Sequence, residues 1–149
     1  MTKKKARYVG SGDISGKSVS FFSPPHDEPD FLWVDLELLA KVFVSDETAI
    51  QLVKTSHQLG RLNRPTTTAR HNGRIVTIVS HPFALGVCTL IDHQQGYVSA
   101  SDIDWNNGPA ALAYIKALAQ AQRTFAPLSL EQMFAASRNE GGPFMRGFK

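Results

Sequence analysis

Several groups of side chains in this 149-residue chain have types and spacings that could support chemistry. His81 and Cys88 stand seven residues apart, and Asp92 follows the cysteine by four, so a helix would set all three on one face. That is the set a thiolate nucleophile with a general base would use. A lone cysteine in an apolar stretch, however, packs as a small hydrophobe, and the expectation for Cys88 is a buried, inert thiol. One cysteine also excludes an intramolecular disulfide and a multi-cysteine zinc site. The segment Gly10-Ser11-Gly12-Asp13-Ile14-Ser15-Gly16-Lys17-Ser18 has the outline of a phosphate-binding loop. Its spacing fails, because Ser11 stands where the first glycine is needed. The residues after it read as a strand, whereas phosphate is held by a helix N-terminus. Asp27, Glu28 and Asp30 lie in a proline-rich loop, a poor support for paired-carboxylate catalysis. No catalytic residue, cofactor or metal is expected, and the chain reads as a non-enzyme.

A binding pattern remains. Gln51, Lys54, Thr55, Gln58 and Arg61 fall on one polar side of a helical segment, and Arg70 and Arg74 flank a tight turn further on. Glutamine and arginine suit adenine and guanine edges, and lysine, threonine and arginine suit phosphates. These seven are the expected DNA-binding residues. Net charge is only +3, but its distribution is uneven. Asp27, Glu28, Asp30, Asp35, Glu37, Asp46 and Glu47 crowd one segment, and from Thr48 to Ile91 there is no acid at all. An acid-free stretch with five lysines and arginines suits a phosphate-facing surface.

The elements that must position these residues can be read from periodicity and punctuation. Residues 1–16 are basic and rich in glycine and serine, and read as a flexible arm. A short strand is expected at 18–22, a proline loop at 23–30 and a second strand at 31–34. Asp35 reads as the N-cap of a helix whose apolar side is Leu36, Leu39, Ala40 and Phe43. A second helix starts at Ser45, buries Ile50 and Val53, and stops at Gly60. Asn72-Gly73 between Thr66–His71 and Arg74–Val79 is a strong signal for a two-residue hairpin. Pro82 opens a third helix with Phe83, Val87, Leu90 and Ile91 inward. After a polar connector with caps at Ser101 and Asn107, Pro109 opens a fourth, with Leu112, Ile115, Leu118 and Ala119 inward. Residues 128–137 read as a short helix that docks or swaps onto a partner, and 140–149 as a loose tail. The expected fold is α+β: a small antiparallel sheet with a β-hairpin wing, packed by about four helices, two of them a helix-turn-helix-like unit. The domain would span 17–125, with a C-terminal helix and tail at 126–149. The longest apolar run, Ala110 to Ile115, is far short of the roughly 20 residues of a membrane span, and no secretory signal is visible. A cytoplasmic location and no membrane partner are expected.

Two resemblances bear on function. His81-Pro82-Phe83-Ala84-Leu85-Gly86 resembles the opening of the Fic-type nucleotide-transfer motif. Val87-Cys88-Thr89 then replace the Asn-Gly-Arg that cradles phosphates there, which leaves His81 as a helix-start residue. Phe31-Leu32-Trp33-Val34-Asp35-Leu36-Glu37-Leu38-Leu39 and Asn72-Gly73-Arg74-Ile75-Val76-Thr77-Ile78-Val79-Ser80-His81-Pro82 are similar to the strand-to-helix opening and late hairpin of phage antirepressor N-terminal domains of the BRO-N and KilA-N type. The similarity covers residues 17–95. It implies a phage or mobile-element regulator that binds duplex DNA or a repressor; another host protein as partner and a homodimer are further candidates. The rival reading is a protein-binding inhibitor or adaptor that uses the acidic 27–47 region and does not bind DNA.

Overall fold

Two tight turns organise the sheet. Asn72 and Gly73 take φ of +52° and +73°, and Ser15 and Gly16 take +52° and +83°. Positive φ at both central residues gives the turn the twist that antiparallel strands need. Around them fold β1 (Tyr8–Ile14) and β2 (Lys17–Phe22), then β4 (Thr66–His71) and β5 (Arg74–Val79). Between the hairpins lies β3 (Trp33–Asp35), which pairs Val34 with Phe21 on one side and Val79 on the other. The computed structural model describes residues 4–63, 66–98 and 108–139, with backbone alone at 59–63 and 139. Among these residues the fold is α+β: a five-stranded antiparallel sheet in the order β1-β2-β3-β5-β4, with five helices. The 10–18 segment, whose outline suggests a phosphate loop but whose spacing does not, is the turn of the first hairpin with its flanking strand ends. Residues 8–14, expected in a flexible arm, form an edge strand. Their glycines and serines have little strand preference of their own, and the register Gly12↔Val19 and Asp13↔Ser18 against β2 holds them.

The sheet curls until its edges meet. A register shift between Tyr8 and Gly10 bends β1, and Tyr8 stacks on His71 of β4, ring centroids 4.0 Å apart. Side chains alternate across this curl. Val19, Phe21, Val34 and Val79 face the helices and join Leu36, Leu39 and Tyr114 in the main core. Ala6, Phe22, Trp33, Ala69 and Ile78 form a second cluster on the other face.

Asp35 caps α1 (Leu36–Phe43), accepting a hydrogen bond from the Leu38 N–H at 3.1 Å. Burial raises its carboxyl above the ordinary range, opposed by that bond. After Val44 and Ser45 comes α2 (Asp46–Asn63), which runs through Gly60 rather than ending there. A single glycine costs a helix only about 1 kcal/mol, which the flanking turns override. Its inward residues are Ala49 and Ser56, with Leu52 and Val53 half-buried; Ile50, expected in the core, is exposed.

α3 (His81–Gln94) and α4 (Pro109–Phe125) also turn inward faces that differ from those expected from periodicity. In α3 the buried residues are Ala84, Val87, Cys88, Thr89, Ile91 and Asp92, and Leu90 is exposed. In α4 Ala110, Ala111, Tyr114, Ala117, Leu118 and Ala121 point inward, whereas Leu112, Ile115 and Ala119 are exposed. The cause is a buried carboxylate. Asp92 accepts hydrogen bonds from Ala110 N–H at 2.8 Å and Ala111 N–H at 3.0 Å, which pins the start of α4 to α3. A Cβ on Gly108 would strike that carboxylate, so glycine is required at this approach. The last helix, α5 (Leu130–Asn139), starts with a reciprocal cap between Ser129 and Gln132. The expected caps at Ser101 and Asn107 and the tail at 140–149 lie outside the described residues. No described helix is long and apolar enough to cross a membrane.

Candidate nucleic-acid interface

The Asn72-Gly73 turn fixes the register of the wing. Arg70 lies opposite Ile75, and His71 opposite Arg74. Paired residues share a face and neighbours alternate, so Arg70 and Arg74 leave the hairpin on different sides. Both are exposed. His71 is committed to structure: it stacks on Tyr8 and meets the Phe22 ring edge-on at 6.0 Å.

α2 lies against the opposite face of the hairpin from Tyr8. His57 and the Thr77 hydroxyl are hydrogen-bonded at 2.7 Å, which ties the middle of α2 to β5. With Ala49, Leu52, Val53 and Ser56 inward, the 100° step of a helix sends Gln51, Lys54 and Gln58 straight outward. All three are exposed. Thr55 is exposed on the flank of that stripe, its hydroxyl donating to the Gln51 carbonyl at 3.0 Å. Arg61 lies in the last turns of α2, and its side chain is outside the described residues. The acidic start of α2 adds the exposed Glu47 to the N-terminal end of the same stripe. The helix thus offers polar donors and one lysine, and the wing supplies its strongest positive charge.

The fold adds basic residues that the sequence did not single out. Because Tyr8 rests on His71, the exposed Lys5 and Arg7 arrive beside the wing. The chain before Tyr8 is tethered by paired bonds between Arg7 and Ser23 and by Lys4 N–H to the Pro25 carbonyl. The Ser15-Gly16 turn between Ile14 and Lys17 was the available signal for a strand here. On α1, Lys41 pairs with Glu37 at 3.0 Å, which raises its pKa.

The other chemical candidates take structural places. His81 and the Tyr114 hydroxyl are hydrogen-bonded at 3.0 Å, and burial lowers the imidazole pKa while raising that of the tyrosine. Asp92 caps α4. Burial, with Asp92 nearby, pushes the Cys88 thiol up to about 12. Native Cys88 is therefore expected to react slowly with a thiol reagent from pH 7 to about 10, whereas the unfolded chain reacts freely near the ordinary thiol pKa. Rapid labelling of native protein at pH 7 would contradict this placement. Among the described residues no cluster of three or more histidine, cysteine or acidic side chains could hold a metal.

Of the acids at 27–47, Asp30 and Asp35 are buried in hydrogen bonds and Glu37 is paired with Lys41. Asp27, Asp46 and Glu47 are exposed and Glu28 is half-buried, so the seven acids are not all available at the surface. Comparison with protein-family models, with curated proteins and with solved structures gave no match.

Proposed function

We propose that this protein is a non-enzymatic regulator that binds duplex DNA through α2 and the β4–β5 wing. The observation that carries the reading is the wing itself: a rigid two-residue hairpin with exposed arginines on both faces, held to α2 through His57–Thr77 and to β1 through Tyr8–His71. Arg70 and Arg74 grip phosphates, with Lys5 and Arg7 extending the charge; Gln51, Lys54, Thr55 and Gln58 face the groove, and Arg61, next along α2, is a further DNA-binding candidate from its position in the sequence. The order strand, helix, helix, hairpin, helix supports a regulator of the antirepressor kind. The burial of Asp30 and Asp35 and the pairing of Glu37 with Lys41 remove three of the seven 27–47 acids from an exposed docking face, which favours this reading over an inhibitor acting through that region.

The test is fluorescence anisotropy on labelled random-sequence duplex at about 50 mM and about 200 mM salt. Binding that weakens steeply with salt is expected, and absence of binding at the lower salt overturns the proposal. Replacing Gln51 and Gln58 together by alanine should change which sequence is selected from a random pool, while leaving the salt dependence intact.

A further inference from the structure

A second surface, remote in kind from the basic one, is apolar and largely uncovered by the other described residues. On α4, Leu112 and Ile115 are 49% and 38% exposed, and on α5, Leu130, Met133 and Phe134 are 70%, 45% and 64% exposed. On α5 these three span about 100° of the helix, one coherent stripe. Ala136 is buried on the adjoining side of α5, and only the Met133 edge of the stripe reaches the body, where it lines a groove of about 470 Å³. Ile115, Leu118, Leu85 and Leu128 form much of the rest of that groove. An amphipathic helix that leaves most of its apolar stripe in water is built to cover something else.

The geometry points to a second copy of this chain as the occupant, with the α5 ridge of each protomer seated in the α4–α5 groove of the other. The surface is complementary to itself. It carries an apolar ridge beside an apolar groove, as a twofold interface requires. Its charges match as well: Glu131 stands on the ridge helix, and Arg123 lines the groove with Lys116 nearby on α4. Neither Glu131 nor Arg123 is paired with another described residue of its own protomer. The area is also sufficient. At roughly 200 Å² per side chain of this size, the five exposed residues offer roughly 500 Å² of apolar surface. A standard interface takes roughly 800 Å² per partner, and the flanking polar residues supply the remainder.

Sedimentation equilibrium on the full chain tests this, independently of any DNA binding. The wild type is expected at twice the 16.4 kDa chain mass. Phe134→Glu, at an exposed position that leaves the fold intact by circular dichroism, should weaken the dimer by about 30-fold or more. Glu131→Arg should weaken it, and adding Arg123→Glu in the same chain should restore it. A wild type that stays monomeric to about 100 μM overturns the inference. So does a dimer indifferent to Phe134→Glu, which would place the interface elsewhere, or a double charge reversal that fails to restore association.

Discussion

Asp92→Ala is expected to destabilise the protein by about 3–5 kcal/mol in urea denaturation. The Asp92 side chain is fully buried and each of its oxygens accepts one backbone N–H from the first turn of α4. A hydrogen bond to a charged group contributes about 1.5–3 kcal/mol, and two are lost. The truncation also strands two helix N-terminal donors away from water and removes a negative charge from the positive end of α4. The control sits two residues earlier. Leu90 belongs to the core by hydrophobic periodicity but is exposed, so Leu90→Ala should change stability by no more than about 0.5 kcal/mol. Equal effects from the two substitutions would mean that α3 is rotated from the orientation described.

The second large effect is expected at Trp33, where alanine should cost about 3–5 kcal/mol. β3 is only three residues long, yet it joins both hairpins into one sheet. Trp33 is fully buried in the cluster with Phe22, Ala69 and Ile78, and this cluster holds the inner side of the curl. Its Nε1–H donates to Asp30 Oδ2 at 3.0 Å, the same oxygen that lies 3.0 Å from His26 Nε2. Trp33→Phe keeps much of the packing and loses the hydrogen bond, so it should cost less, about 1–3 kcal/mol. Equilibrium unfolding of the two variants checks the order. A phenylalanine variant as unstable as the alanine one would mean that the polar network, rather than the packed ring, holds β3.

What the sequence reveals about this fold depends on how local the cause is. The wing is legible residue by residue, because Asn72-Gly73 sets the register of its own flanking strands. Asp35 is legible as a cap because the Leu38 N–H it satisfies is three residues away. The faces of α3 and α4 are not. Periodicity selects large aliphatics, and it chose Leu90, Leu112 and Ile115, whereas the fold turns alanines and the Asp92 carboxylate inward so that the two helices can meet closely. β1 is obscured by its glycines and serines, and its strand character comes from pairing with β2. The candidate site follows the same rule. Arg70, Arg74 and the α2 stripe are visible in spacing alone, but Lys5 and Arg7 join them through contacts between opposite edges of the sheet, the Tyr8–His71 stack and the packing of Ala6 in the cluster with Ala69.

If the wing carries phosphate contacts, the slope of log K against log[salt] for Arg70→Ala/Arg74→Ala reports their loss. Each phosphate contact on duplex DNA contributes about 0.9 to that slope through counterion release. Because the two arginines leave the hairpin on different faces, in the proposed interface they would position the protein on the backbone rather than fork one base, and their loss should act alike on every sequence. The expected slope is shallower by about 2, with affinity reduced on all duplexes tested. An unchanged slope and unchanged affinity in the double variant would contradict it.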